Sequence, residues 1–461
     1  MSIWLRASKI WPMVVLTGGI IGFVGLTAAE TLTLEQAIER ALTADPRVEE
    51  KEHLVMAAKA LLQEAKGADG LKVDLNTFLG VSPTIDGGFF NKNCTAESNE
   101  CVRDDRFTLD DGVSPWFYIE LSLIKPLFTF GKIENYSEAA NANVAIKEAD
   151  VRLQRSEIIQ DTKKAYFGHL TAKDSRLFLQ DIQQRIDNAL QLVNDWLDEG
   201  EGDVKASDRY ALESASALAS KFISQARGLE QVSLDGLRVV TGIGLGNALD
   251  LADKGLKPVA LPDETLPELQ ARAAQMRPEI SQLNSGLEAR RALVAANKAM
   301  IKPNVYAGIV GLLSYSHGRD VIDNPHITDP FNDYGATPVL GMQWSWETGR
   351  QPAKVAQAQA ELNALIEKSS FAREGIAFQV AEQFHQMHAY YDSVQSLRKS
   401  AKAARRWMIS SYTDFSAGIE KVEGVISAFQ AYVLAYTEYL RTVFEYNMYV
   451  ARLEHVTGAY Q

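Results

Sequence analysis

Proline is missing from two long stretches of this 461-residue sequence, Leu127 to Lys257 and Ala353 to Gln461. An interior proline breaks a helix at a cost of about 3 kcal/mol, so both stretches are free to run as uninterrupted helix. Long apolar runs are equally scarce. After residues 10–29 nothing approaches the roughly 18 continuous apolar residues that a spanning helix needs, so any later entry into a membrane has to be made by strands. Positive charge is in deficit, with 47 Lys+Arg against 59 Asp+Glu and a formal charge of -12. That balance argues against a broad electrostatic attraction to nucleic acid. No nucleophile elbow, Walker sequence, zinc spacing or kinase signature occurs, and an enzyme reading has no constellation to rest on.

What is present begins at the amino end. Arg6 and Lys9 precede an apolar run from Ile10 to Ala29 that closes on Thr27, Ala28 and Ala29, the arrangement of a secretory signal peptide. Residues 1–29 are expected to be removed, with a retained membrane anchor as the alternative. The two cysteines, Cys94 and Cys101, lie in a Gly/Asn/Asp-rich segment. An exported chain meets an oxidising compartment, which favours a disulfide between them over two free thiols. Neither is near Glu30, so no lipid anchor on an N-terminal cysteine is expected.

The chain repeats itself. Leu237, Val240, Thr241 and Gly242 return as Leu453, Val456, Thr457 and Gly458, and Pro46, Ala57, Leu61 and Lys66 return as Pro278, Ala289, Leu293 and Lys298. Gly131 and Lys132 return as Gly349 and Arg350, at an offset that gives the first copy a longer loop holding both cysteines. Two units of similar plan are predicted, 30–256 and 257–461. Within the proline-free stretches apolar residues step by three and four, as in Leu179, Ile182, Ile186, Ala189 and Val193 or Phe429, Val433, Tyr436 and Leu440. This is coiled-coil spacing. It predicts a short helix, a very long one such as Ile133 to Asp198, a turn, and a returning helix in each unit.

Between short and long helices the period changes to two, near 73–81 and 116–125 in the first unit and near 304–315 and 334–346 in the second. Each run is close to the roughly 9 to 11 residues of a tilted membrane-crossing strand. Trp116, Tyr118, Tyr315, Tyr334 and Trp344 gather toward the ends, as an interfacial girdle would. A small soluble sheet is the alternative at this point. Four strands cannot close a transmembrane barrel, and open edges are not tolerated in lipid, so a barrel would have to be shared between chains.

The joint pattern of export signal, tandem repeat, strand pairs and long hairpins resembles the TolC family of outer membrane efflux proteins. The stretch Thr33 to Leu42, the Arg-Pro-Glu-Ile of Arg277 to Ile280 and the closing Tyr439-to-Gly458 segment are similar to the family locally. The resemblance implies a mainly α chain whose antiparallel coiled-coil hairpins form an α-barrel. Its four strands would supply one third of a trimeric twelve-stranded β-barrel in the outer membrane of a Gram-negative bacterium. It implies passive conduction, without cofactor or enzymatic activity, for efflux or type I secretion. The expected partners are an inner membrane pump of RND, ABC or MFS type and a periplasmic adaptor that touches the hairpin tips. A non-conducting coiled-coil scaffold is the competing reading, although it leaves the duplicated strand pairs unexplained.

At the tips the family carries a glycine followed six residues later by an aspartate. Gly202 and Asp208 fit, whereas Gly418 is followed by Gly424, and the next acidic position falls on Ser427. The family's tyrosine and arginine of the closing network fall on Phe415 and Glu420, so its bonding scheme does not transfer. Acids surround the tips nonetheless, including Asp198, Glu199, Glu201, Asp203, Glu420 and Glu423. Asp203, Asp208, Glu420 and Glu423 are expected to shape a mouth that favours cations, against the alternative of a solvated helix end. Glu382 with His385 and His388 has a ligand-like spacing but no second copy, and a polar helix face is expected there instead of a metal site. Gly242, Gly244 and Gly246 follow a helix and read as terminators.

Overall fold

The computed structural model describes residues 30–84, 112–200, 203–319 and 328–460. The expected signal segment, Cys94, Cys101, Glu201 and Gly202 lie outside them. The first unit runs β1 (Glu30–Leu32), α1 (Leu34–Ala44), α2 (Pro46–Gly67), β2 (Lys72–Pro83), β3 (Val113–Phe128), α3 (Lys132–Glu199) and α4 (Ala206–Val240). The second runs β4 (Leu249–Leu251), α5 (Leu266–Met276), α6 (Pro278–Ala299), β5 (Asn304–Ser316), β6 (Asp333–Gln343), α7 (Arg350–Ser416) and α8 (Val422–Val456). At 1.5 Å per residue the 68 residues of α3 extend about 100 Å.

Each unit carries two short helices where one was expected. Pro46 and Pro278 sit at the first positions of α2 and α6, where a missing N–H costs nothing. Each also confines the residue before it to an extended backbone, and Asp45 (ψ 118°) and Arg277 (ψ 127°) adopt one. The chain must therefore turn between helices. At this joint the two units have opposite charges. Asp45 is buried and bonds Arg47, which reaches Asp161 on α3 at 2.9 Å. Arg277 is buried and bonds Glu279, and reaches Gln379 on α7 at 2.7 Å.

The long hairpins end against the same joints. Thr241 and Thr457 are fully buried, and their hydroxyls donate to the Leu237 and Leu453 carbonyls one turn back. Gly242 (φ 68°) and Gly458 (φ 73°) follow in the left-handed region. A Cβ on Gly242 would lie 2.7 Å from Ala44, and one on Gly458 would lie 2.9 Å from the Met276 backbone. Glycine is required at both places by conformation and by space. Gly244 and Gly246 are also left-handed and carry the chain out of α4.

Two cores stack along the helices. The one at the level of the joints gathers Tyr166, Leu170, Leu237, Leu269, Val380, Leu440 and Tyr446, and one toward the tips gathers Ile182, Ala189, Leu212, Met408, Phe415, Val425 and Phe429. The connector between units is belted to the first core. β4 pairs in parallel with β1, which the sequence did not announce because three residues carry no readable period. Asp253 accepts from the Tyr166 hydroxyl at 2.7 Å, and Asp174 accepts from the Leu256 N–H at 2.8 Å. The buried amide of Asn447 on α8 accepts from Val259 N–H at 3.0 Å and donates to the Lys257 carbonyl at 2.9 Å.

Candidate functional site

β2, β3, β5 and β6 form one antiparallel sheet in the order β2-β3-β5-β6. Opposed residues share a face, so the register sorts every side chain. One face carries Leu75, Leu79, Phe117, Leu121, Ile309, Leu313, Leu340 and Met342 and holds no charge except Lys125 near its helix-proximal end. Leu79 is 84% exposed and Leu340 76% exposed. Such a surface is out of place in water and matched to hydrocarbon. The opposite face carries Lys72, Asp74, Asn76, Glu120, Ser122 and Thr337, among other polar residues. Among the described residues the two edge strands, β2 and β6, each present one unpaired side. β6 ends at Gln343, short of the expected 346, and Trp344 and Trp346 stack just beyond it at 5.8 Å.

The expected aromatic girdle divides. Tyr315 and Tyr334 stand on the apolar face at the end far from the helices, and Trp344 stands past the near end. Trp116 and Tyr118 belong instead to the polar face, because they share parity with Glu120 and Ser122. Trp116 Nε1 donates to Ser314 Oγ at 2.8 Å, and its ring meets Phe331 edge-on at 5.4 Å. Phe331 is held by Arg319, whose guanidinium lies 4.8 Å from the ring centroid and pairs with Asp329 at 2.9 Å. Both charged side chains are almost wholly buried, and Arg319 also donates to the Pro83 carbonyl at the end of β2. Reading the sequence missed this cluster. The alternation along β3 already placed Trp116 with the polar residues, but Arg319 and Asp329 flank a loop without any period.

At the other end of the molecule the two hairpin turns lie side by side. Lys421 Nζ is 3.8 Å from Asp203 across them, and a cavity of about 430 Å³ opens between Trp196, Val204, Phe415, Ile419 and Lys421. Gly200 (φ 69°) and Gly418 (φ 75°) end the long helices. Phe415 is buried and meets Trp196 edge-on at 5.3 Å, which makes it a core residue of the tip. Asp208 accepts the Lys205 N–H at 2.8 Å and so caps α4. Glu420 folds back over Gly424, where a Cβ would collide with the carboxylate, and Ser427 donates to the Glu423 carbonyl. Asp203, Glu420 and Glu423 are exposed. On α7, Phe384 packs edge-on against His388 at 4.4 Å and touches His385; no group of three or more metal-binding side chains gathers among the described residues.

No curated protein matches the chain significantly. Residues 37–219 match the model of the outer membrane efflux protein family. The chain is similar in structure to the outer membrane channel OprN, with a TM-score of 0.73, 17% identity and coverage of 92% of this chain and 89% of that one. It is similar to the Campylobacter jejuni outer membrane channel CmeC, with a TM-score of 0.74, 13% identity and coverage of 98% and 94%. The outer membrane protein VceC of Vibrio cholerae aligns with a TM-score of 0.72, 14% identity and coverage of 92% and 96%. The paired repeat, the two-faced four-stranded sheet and the long hairpins thus have the fold of known outer membrane channels, and residues 37–219 are similar in sequence to the outer membrane efflux protein family.

Proposed function

We propose that the chain is one third of a trimeric outer membrane channel that continues as a periplasmic tunnel in a Gram-negative cell. It serves as a passive conduit for efflux or type I secretion, driven by an inner membrane pump through a periplasmic adaptor at the hairpin tips. The observation that carries this reading is the sheet: one face suits lipid, and both edge strands lack a partner among the described residues. An open edge in hydrocarbon leaves backbone groups unsatisfied at several kcal/mol each. Pairing β6 of one copy with β2 of the next continues the antiparallel order, and three copies give twelve strands. Mass measurement in detergent is expected to return three chains, with single-channel current after reconstitution. A monodisperse monomer that carries no current would overturn the reading.

The exposed tip acids are assigned to the mouth. Two unit charges about 10 Å apart interact by about 1.7 kcal/mol at an effective dielectric of 20, weakened by salt over roughly 8 Å. Asp203, Glu420 and Glu423 from three copies crowd such charges around one axis and favour cations. Replacing all three by Asn or Gln is expected to lower cation selectivity in planar bilayers; unchanged selectivity and adaptor binding would reduce them to a solvated surface. Asp208 is kept in that variant because it caps α4. We also infer a Cys94 to Cys101 bridge, in the segment between β2 and β3. It predicts that alkylation of both thiols needs prior reduction.

A further inference from the structure

We propose that the polar face of the sheet holds a binding site for aromatic organic cations, built from Phe78, Trp116, Tyr118 and Glu120. The inference rests on the conduit reading, which makes this face the wall of the channel. Phe78 and Tyr118 are cross-strand partners with ring centroids 5.6 Å apart, and Trp116 stands 5.7 Å from Tyr118 on the same strand. The three rings form a continuous ladder on a face that also carries Lys72, Asp74, Asn76, Glu120 and Ser122, with Val310 and Leu312 beside them on the neighbouring strand. Its outer end is fixed from three directions. Gly80 leaves the space the indole occupies, since a Cβ there would lie 2.9 Å from the ring. Ser314 holds the indole nitrogen, and Phe331, clamped by the buried Arg319 and Asp329 pair, closes its edge. A flexible wall residue needs no such bracing.

The inner end of the ladder carries charge. Glu120 lies two residues along β3 and accepts the Tyr118 hydroxyl at 2.8 Å. No cation pairs with it among the described residues, whereas Lys72 on the same face is paired with Asp74 at 3.0 Å. Ring faces attract delocalised cations through their quadrupole, and an uncompensated carboxylate beside them adds a full opposite charge. A flat ring bearing positive charge satisfies both at once. A plain metal ion would use only the carboxylate, and an aromatic anion would be repelled by it. Three copies would place three such ladders around the lumen near its far end.

The test is block of the potassium current through the full-length channel in planar bilayers, with ethidium added on the side away from the tips. Tetraethylammonium supplies the charge without a ring, and naphthalenesulfonate the ring without a positive charge. Ethidium is expected to half-block at a concentration about tenfold below tetraethylammonium, the scale of one desolvated cation–π contact. Naphthalenesulfonate is expected not to block. Glu120→Gln should raise the half-block of both cations, and Phe78→Ala should raise that of ethidium several-fold more than that of tetraethylammonium; the conservative first variant guards against misfolding of the second. Equal block by ethidium and tetraethylammonium, or an unmoved ethidium half-block in both variants, overturns the site while the channel stands. Absence of any current from the unaltered chain would remove the conduit reading itself.

Discussion

Gly242 and Gly458 show how much a single position can decide. Each combines a left-handed backbone with a neighbour less than 3 Å from any Cβ. Alanine at either is expected to cost about 1 to 2 kcal/mol for the backbone alone, with a further penalty for the contact. Gly458→Ala should lower the melting temperature more, because its neighbour is main chain and Ala44 can shift. Two histidines give the residue scale a pH dependence. Burial pushes His169 and His455 below their usual value of about 6.5. As pH falls through 6.5 the unfolded chain takes up protons that the folded one refuses, so stability drops until the lowered folded values are reached. Melting measured at pH 7.5 and 5.5 should show the loss, and His169→Gln with His455→Gln should flatten it.

For the strands, the two faces of the sheet make opposite demands. Leu121→Lys, in mid-strand on the apolar face, is expected to cost about 2 to 4 kcal/mol in a bilayer and to prevent a heat-resistant oligomer on gels. Ser122→Lys, one residue away on the polar face, should assemble normally. Failure of both, or of neither, would contradict the assignment of faces. Much of this was legible in the sequence, because strand alternation and heptad spacing are long and regular enough to read. The period in β2 and β3 sorted Leu75 from Asn76 and Phe117 from Trp116 without any coordinates. The break at Pro46 and Pro278 was visible as repeated proline but was not read as a joint, since its meaning depends on what packs there. The buried role of Phe415 was hidden because a position in the last turn of α7, beside the tip, says nothing of which way a ring points. The Arg319 and Asp329 pair could not be anticipated from loop letters at all.

In the whole molecule, the connector ties the repeats into one body. Asn447→Leu would remove two part-buried hydrogen bonds, from the Val259 N–H and to the Lys257 carbonyl, at about 0.5 to 1.5 kcal/mol each. The expected result is faster hydrogen exchange across residues 249–261 with the hairpin ends unaffected. The same belt constrains the order of events while the chain is made. Among the described residues β1 pairs with Leu249–Leu251 alone, so residues at the start of the first unit wait for more than 200 others to emerge. The last clasp, Asn447, is delivered near the end. Contacts so distant along the chain form slowly, and until they do, the sheet edges and the exposed leucines of the apolar face travel unprotected. A newborn subunit therefore carries a timetable in its topology, and its refolding is expected to become more prone to aggregation the longer that interval lasts.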